Sequence, residues 1–160
     1  MRFSEAKSHK VMSAATATTV AKVKGFVVDA PAAAVVALRV GKSDAGEYLH
    51  WPDVTGFGPD AVVVVDEDKL TEARGRAAQL LDKRYELVGK RVLDDHGDAV
   101  GEVEDVEFDP STGRVLTLFT SGPEVAGDRM VGCGGWALVV RAAPPEPGEP
   151  PVAVPARPSP

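Results

Sequence analysis

Val106-Glu107-Phe108-Asp109 repeats, at a constant spacing of 80 residues, the stretch Phe26-Val27-Val28-Asp29. The match extends on both sides. Val20 aligns with Val100, Val23 with Val103, Val35 with Val115, Val36 with Leu116 and Leu38 with Leu118. Upstream, Lys10-Val11-Met12 resembles Arg91-Val92-Leu93 after a one-residue gap. Downstream, Ala61-Val62-Val63-Val64 resembles Ala137-Leu138-Val139-Val140. Gaps that fall in loops and spare the apolar runs are what a duplicated sheet leaves behind. One small β-rich unit therefore occurs twice, and the fold question becomes a question about half the chain.

β-branched content and alternation predict strands at Lys10–Ser13, Thr19–Asp29, Val35–Val40, Glu47–Trp51 and Ala61–Val65. The second set is Arg91–Asp94, Ala99–Asp109, Val115–Thr120, Arg129–Val131 and Trp136–Arg141. The long strand of each copy has a phase slip. Val20, Phe26 and Val28 share a face while Val23 takes the other, and Val100, Val106 and Phe108 stand likewise against Val103. A slip at the same place in both copies predicts a β-bulge near Lys24-Gly25 and Glu104-Asp105. Bulges bend strands, and bent long strands close small barrels. Asp109-Pro110-Ser111-Thr112-Gly113 reads as a hairpin turn. Copy one has Ala33 in the Gly113 slot, so its turn must differ or carry about 1 kcal/mol of strain.

Leu70, Ala73, Ala77, Leu80 and Leu81 recur at helical spacing between the copies. They predict a connecting helix to about Arg84, weakened by Gly75, that docks on a barrel. From Ala143 onward the chain is dominated by proline, a composition that predicts a disordered, polyproline-like tail. The expected organisation is repeat one at 1–66, a helical linker at 67–84, repeat two at 85–142 and the tail at 143–160. Each repeat, at roughly 60–70 residues, is near the lower limit for an independent core. The halves are therefore expected to pack on each other or on another subunit.

The net charge is −6 and Lys and Arg form no long run, which argues against a nucleic-acid tract while leaving room for a local basic face. Cys133 is the only cysteine, which excludes an intrachain disulfide and a cysteine-based metal site. A reducing cytoplasm is the natural setting. Met1-Arg2-Phe3-Ser4-Glu5 lacks the apolar stretch of a signal peptide, and no apolar run is long enough to span a bilayer.

The repeating unit has the form Gly-Lys-Arg-Val at 89–92, Asp-x-x-Gly-x-x-Val-Gly-x-Val-x-Asp-Val-x-Phe-Asp at 94–109, and Thr-Gly-Arg-Val at 112–115. It resembles the PRC-barrel family. That family is typified by the cytoplasmic domain of the photosynthetic reaction-centre H subunit and by the C-terminal domain of the ribosome maturation factor RimM. The resemblance covers residues 1–65 and 85–142. In copy one, Ser8 and His9 stand near the Gly89 position, and Ala21 occupies the Gly101 position. The resemblance implies a mainly β protein: two tandem, small, antiparallel PRC-type barrels joined by a short helix. It implies docking modules, with no catalytic residues, cofactor or metal to carry over.

Side chains that could carry chemistry also have structural readings. His50, near Asp53, lacks a nucleophile partner and reads as a strand end. Cys133, in Gly132-Cys133-Gly134-Gly135, has no cation beside it in sequence to lower its pKa. Asp94-Asp95-His96-Gly97-Asp98 departs from the EF-hand spacing and reads as a solvated turn. His9 and His96 form no ligand-spaced pair. Lys22 and Lys24 correspond to Glu102 and Glu104, so equivalent surfaces are basic in one copy and acidic in the other. Such surfaces can meet within the chain or between chains. Trp51, Phe57 and Trp136 are the candidate partner anchors. Phe57, with a glycine on each side, is the first choice for an exposed loop tip.

The expected function is a non-catalytic, cytoplasmic protein-interaction or scaffold module whose partner is a protein, with a homodimer as a further option. An accessory factor in ribosome or RNA maturation is the alternative. A thiol- or metal-dependent enzyme stands third.

Overall fold

The computed structural model describes residues 1–41, 46–81 and 86–142. The proline-rich tail at 143–160 and the end of the expected helix at 82–84 lie outside the described residues.

The first half begins with a one-turn helix, α1 (Phe3–Ala6). Seven strands follow: β1 (Lys10–Ser13), β2 (Thr18–Asp29), β3 (Ala34–Val40), β4 (Tyr48–His50), β5 (Gly56–Phe57), β6 (Ala61–Val64) and β7 (Leu70–Thr71). After a second short helix, α2 (Gly75–Gln79), the second half supplies six strands. These are β8 (Arg91–Asp94), β9 (Ala99–Phe108), β10 (Val115–Thr120), β11 (Val125–Ala126), β12 (Met130–Cys133) and β13 (Leu138–Val140). The strand order is β5-β6-β1-β2-β3-β4-β7 in the first sheet and β12-β13-β8-β9-β10-β11 in the second, so the halves share one topology. Pairing is antiparallel except between β1 and β6 and between β8 and β13, which are parallel.

The expected bulges are present. In β2 the register with β3 shifts between Val23 and Gly25, across Lys24. In β9 the register with β10 shifts between Asp105 and Val103, across Glu104. Each long strand changes partner at this point. Residues 18–22 pair with β1 and residues 23–29 with β3. Residues 99–102 pair with β8 and residues 103–108 with β10. One bent strand thus serves two layers, and the sheet curls over its own apolar face into a small barrel-like unit.

The connecting segment differs from the expected helix. Leu70 is in β7, paired with Leu49 of β4, and is fully buried there. Gly75 has φ +62°, which starts α2 afresh. Sheet pairing captures the first apolar residue, and only one helical turn and a half remains. Ala77 and Leu80 still dock on Val27 and Ala37, as an amphipathic face should, while Leu81 is exposed.

The halves share one core. Val11, Val23, Leu38 and Leu49 of the first belong to the same buried cluster as Val92, Val103, Phe108 and Leu138 of the second. Backbone bonds cross the junction with two-fold pseudosymmetry. Val35 N donates to Gly113 O at 2.7 Å, and its duplicate Val115 N donates to Ala33 O at 2.7 Å. The N-terminus adds a second seam, where Phe108 N donates to Met1 O at 2.8 Å and Arg2 bridges to Glu107. At the centre, the Phe108 ring enters the first half's aromatics. Its centroid lies 5.5 Å from Phe3, 5.6 Å from Phe26, 5.4 Å from Phe57 and 6.3 Å from Trp51.

Copy one keeps the backbone of copy two without its glycines. Ala17 has φ 55° and Ala33 has φ 52°, where copy two places Gly97 and Gly113. A left-handed alanine costs about 1–2 kcal/mol. Ala33 is buried, but Ala17 is exposed and has no packing to lose. Ala17→Gly should therefore raise stability, by about 1 kcal/mol after the entropy that glycine adds to the unfolded chain. Urea unfolding measures it, and an unchanged or lower midpoint would show that the turn is unstrained. Phe108→Ala should cost about 3–5 kcal/mol in the same assay, because it empties the centre of the junction.

Candidate interaction surface

The three aromatic anchors proposed from sequence have different surroundings. Phe57 is not a loop tip. It lies in β5, paired with Val62, and its half-buried ring packs on Phe108. The flanking glycines admit a short edge strand that lays the ring inward. Trp51 opens a 3-10 turn after β4 and is also half-buried. Its indole lies against Gly113, where a Cβ would come within 2.8 Å of Trp51 Cε2. Trp136 alone is presented to solvent, with 67% of its surface exposed.

Trp136 follows the glycines that close the turn between β12 and β13. The Arg91 guanidinium sits 4.9 Å from its ring centroid, a cation–π contact that holds the indole against the strand. A depression of about 340 Å³ beside it is lined by Val88, Lys90, Arg91, Glu102 and Gly135. Val88 is itself 51% exposed. Lys90 Nζ donates to Gly134 O at 2.9 Å, which ties the glycine turn to the sheet. Only tertiary structure brings Val88 and Arg91 to Trp136. Alternation along β8 hints at the exposure of Arg91, but nothing in the sequence signals Val88.

Lys22, Lys24, Glu102 and Glu104 are all exposed on their long strands. Among the described residues no ion pair joins the lysines to the glutamates, whereas Arg74–Asp53 and Arg76–Asp29 do pair. Lys22 lies opposite Lys10, and Glu102 lies opposite Arg91.

Cys133 is half-buried, and burial pushes its thiol up, with Lys90 opposing. That is the reverse of what a thiolate nucleophile requires. Asp94, Asp95 and His96 cluster at the β8–β9 turn. Asp94 Oδ1 accepts from His96 N at 2.9 Å and from Asp98 N at 3.0 Å, and Asp95 Oδ1 accepts from Ala142 N at 2.9 Å. Asp94 thus shapes the turn, and Asp95 ties it to Ala142.

His50 is buried and works as a fastener for the connecting segment. Its Nε2 accepts from Arg74 N at 3.1 Å, which leaves the proton of the neutral ring on Nδ1, 3.5 Å from Thr71 Oγ1. Arg74 Nη1 donates to Thr71 Oγ1 at 2.9 Å and its Nη2 reaches Asp53 at 3.3 Å. Asp53 thus engages Arg74 instead of orienting His50. Burial, and next the Arg74 charge, lower the His50 pKa from its ordinary 6.5. A lowered pKa means that the unfolded chain binds the proton first. The stability held by neutral His50 is then complete above pH 6.5 and is lost as the pH falls through its own lower value. Unfolding free energy should decline as the pH falls from 6.5 to that lower value in the wild type and decline less in His50→Gln. Identical pH profiles for the two proteins would remove His50 from this role.

The bent long strand, the order of strands around it and the glycine turns define a class of small β-barrel, present here twice. A family model, the PRC-barrel domain, matches residues 82–156. The second half is therefore a PRC-barrel domain. The first half, which that match does not reach, repeats its strand order and its bulge. No curated protein matches the chain. Among the described residues no helix is long and apolar enough to cross a membrane.

Proposed function

We propose that this protein is a non-catalytic cytoplasmic docking module that offers the Trp136 surface of its second barrel to a protein partner. The exposure of Trp136, at 67%, carries the reading. A large aromatic left in water has its burial energy still to gain, and interface centres are enriched in aromatics and arginine. The Arg91 contact supports the same conclusion, since a ring already held in place loses less side-chain freedom on docking. Val88 adds apolar area, and Lys90, Arg91 and Glu102 supply a mixed polar rim. The match of the second half to a family of small, generally non-catalytic barrels agrees with it. Trp51 and Phe57 contribute to the junction between the barrels, so the proposal rests on Trp136.

Affinity capture from native cells, with wild type and Trp136→Ala in parallel, tests the reading. The variant removes a surface side chain and should unfold at the wild-type temperature. A protein held stoichiometrically by the wild type and lost by the variant is the expected result. Equal recovery by both would move docking away from Trp136. RNA in the eluate, released by salt, would instead favour the maturation-factor alternative.

A further inference from the structure

A second concave site lies at the junction of the two barrels. It is a cleft of about 360 Å³, at the low end of the range for small-molecule sites. Phe3, Phe26 and Leu87 give it an apolar lining, with the two phenylalanine rings stacked 3.9 Å apart.

The charged lining divides by half. Lys24 and Arg39 come from β2 and β3 of the first barrel, and Glu86 and Glu104 from the second half. Lys24 and Glu104 are the bulged residues of the two long strands, equivalent under the duplication. A bulge re-aims its side chain, and here both bulges bring a charge to one cleft, with opposite signs. Arg39 lies along Gly25, where a Cβ would sit 3.4 Å from its Nε. Asp105, also at the rim, accepts from Ser4 N and Ser4 Oγ. Among the described residues no ion pair joins Lys24 or Arg39 to Glu86 or Glu104. The cations of one half and the anions of the other line one cleft without neutralising each other.

We propose that this cleft binds a zwitterionic molecule of dipeptide size with apolar side chains. Its carboxylate lies against Lys24 and Arg39, its ammonium against Glu104 and Glu86, and its side chains on Phe3, Phe26 and Leu87. A ligand with one charge leaves the opposite wall uncompensated, and a reversed zwitterion is repelled at both ends. The cleft adjoins the Trp136 surface, with which it shares Glu86 and Val88, but Trp136 itself does not line it, and it requires no protein partner.

Isothermal titration calorimetry of the full chain with leucyl-phenylalanine tests the proposal, alongside the N-acetylated and the C-terminally amidated forms of that dipeptide. The free dipeptide should bind saturably at one site. Each blocked form should bind about tenfold more weakly, through loss of one charge-assisted contact. Glu104→Gln should reduce the penalty for acetylation and Lys24→Gln that for amidation; both side chains are exposed, so the fold is retained. Trp136→Ala should leave dipeptide binding unchanged. The proposal is overturned if the free dipeptide gives no binding at millimolar concentration or if all three forms bind alike. It is equally overturned if binding survives both charge variants without change, or is lost in Trp136→Ala.

Discussion

Phe108 sits in the wrong half. It belongs to the long strand of the second barrel, yet its ring is packed among Phe3, Phe26, Trp51 and Phe57 of the first. It is fully buried there. A barrel of this size is near the lower limit for closing a core by itself. The duplication solves that problem by letting each unit complete the other. The reciprocal bonds between Val35 and Gly113 and between Val115 and Ala33 set the register of the junction, and the aromatic cluster supplies its burial. The N-terminal segment then runs along β9 and closes the seam.

Divergence between the copies falls where it costs least or where it creates something new. Copy one lacks the turn glycines of copy two and tolerates left-handed Ala17 and Ala33 in their place. The shared core over-determines those turns, so local strain persists without changing the path of the chain. On the long strands the change concerns sign. The bulge position carries Lys24 in one copy and Glu104 in the other, and the fold brings both to the same cleft. A site lined by two equivalent residues would be symmetric in an unaltered duplicate. Here it is polarised, which is why it suits a ligand with two different ends.

Much of this was legible in the residues. A period of 80 positions, slipped alternation at Lys24 and Glu104, and turn chemistry at Asp109–Gly113 are local signals with local causes. They place the main strands and both bulges. The short edge strands were not legible, because two residues carry no periodicity: β5, β7 and β11 exist only through their partners. The same limit explains the connecting segment, where pairing with β4 overrides the helical spacing of Leu70. Phe57 misleads for a related reason, since flanking glycines describe an exposed tip and a tight edge strand equally well. Of the candidate site, the sequence marks Trp136 as an aromatic beside a glycine turn. That Val88 and Arg91 adjoin it, or that Arg39 shares a cleft with Glu104, depends on contacts that no linear pattern encodes.

The central claim is that the two barrels form one cooperative unit. Duplicate amides report on it in the unmodified protein: Val23 N donates to His9 O and Val103 N to Lys90 O, both at 2.9 Å, at equivalent buried positions. Native-state hydrogen exchange of this pair under increasing urea is the direct measurement. A shared core predicts the same opening free energy for both, with the same steep dependence on denaturant. Exchange of one amide through a cheaper opening with a shallower dependence, while the other stays protected, would show barrels that merely touch.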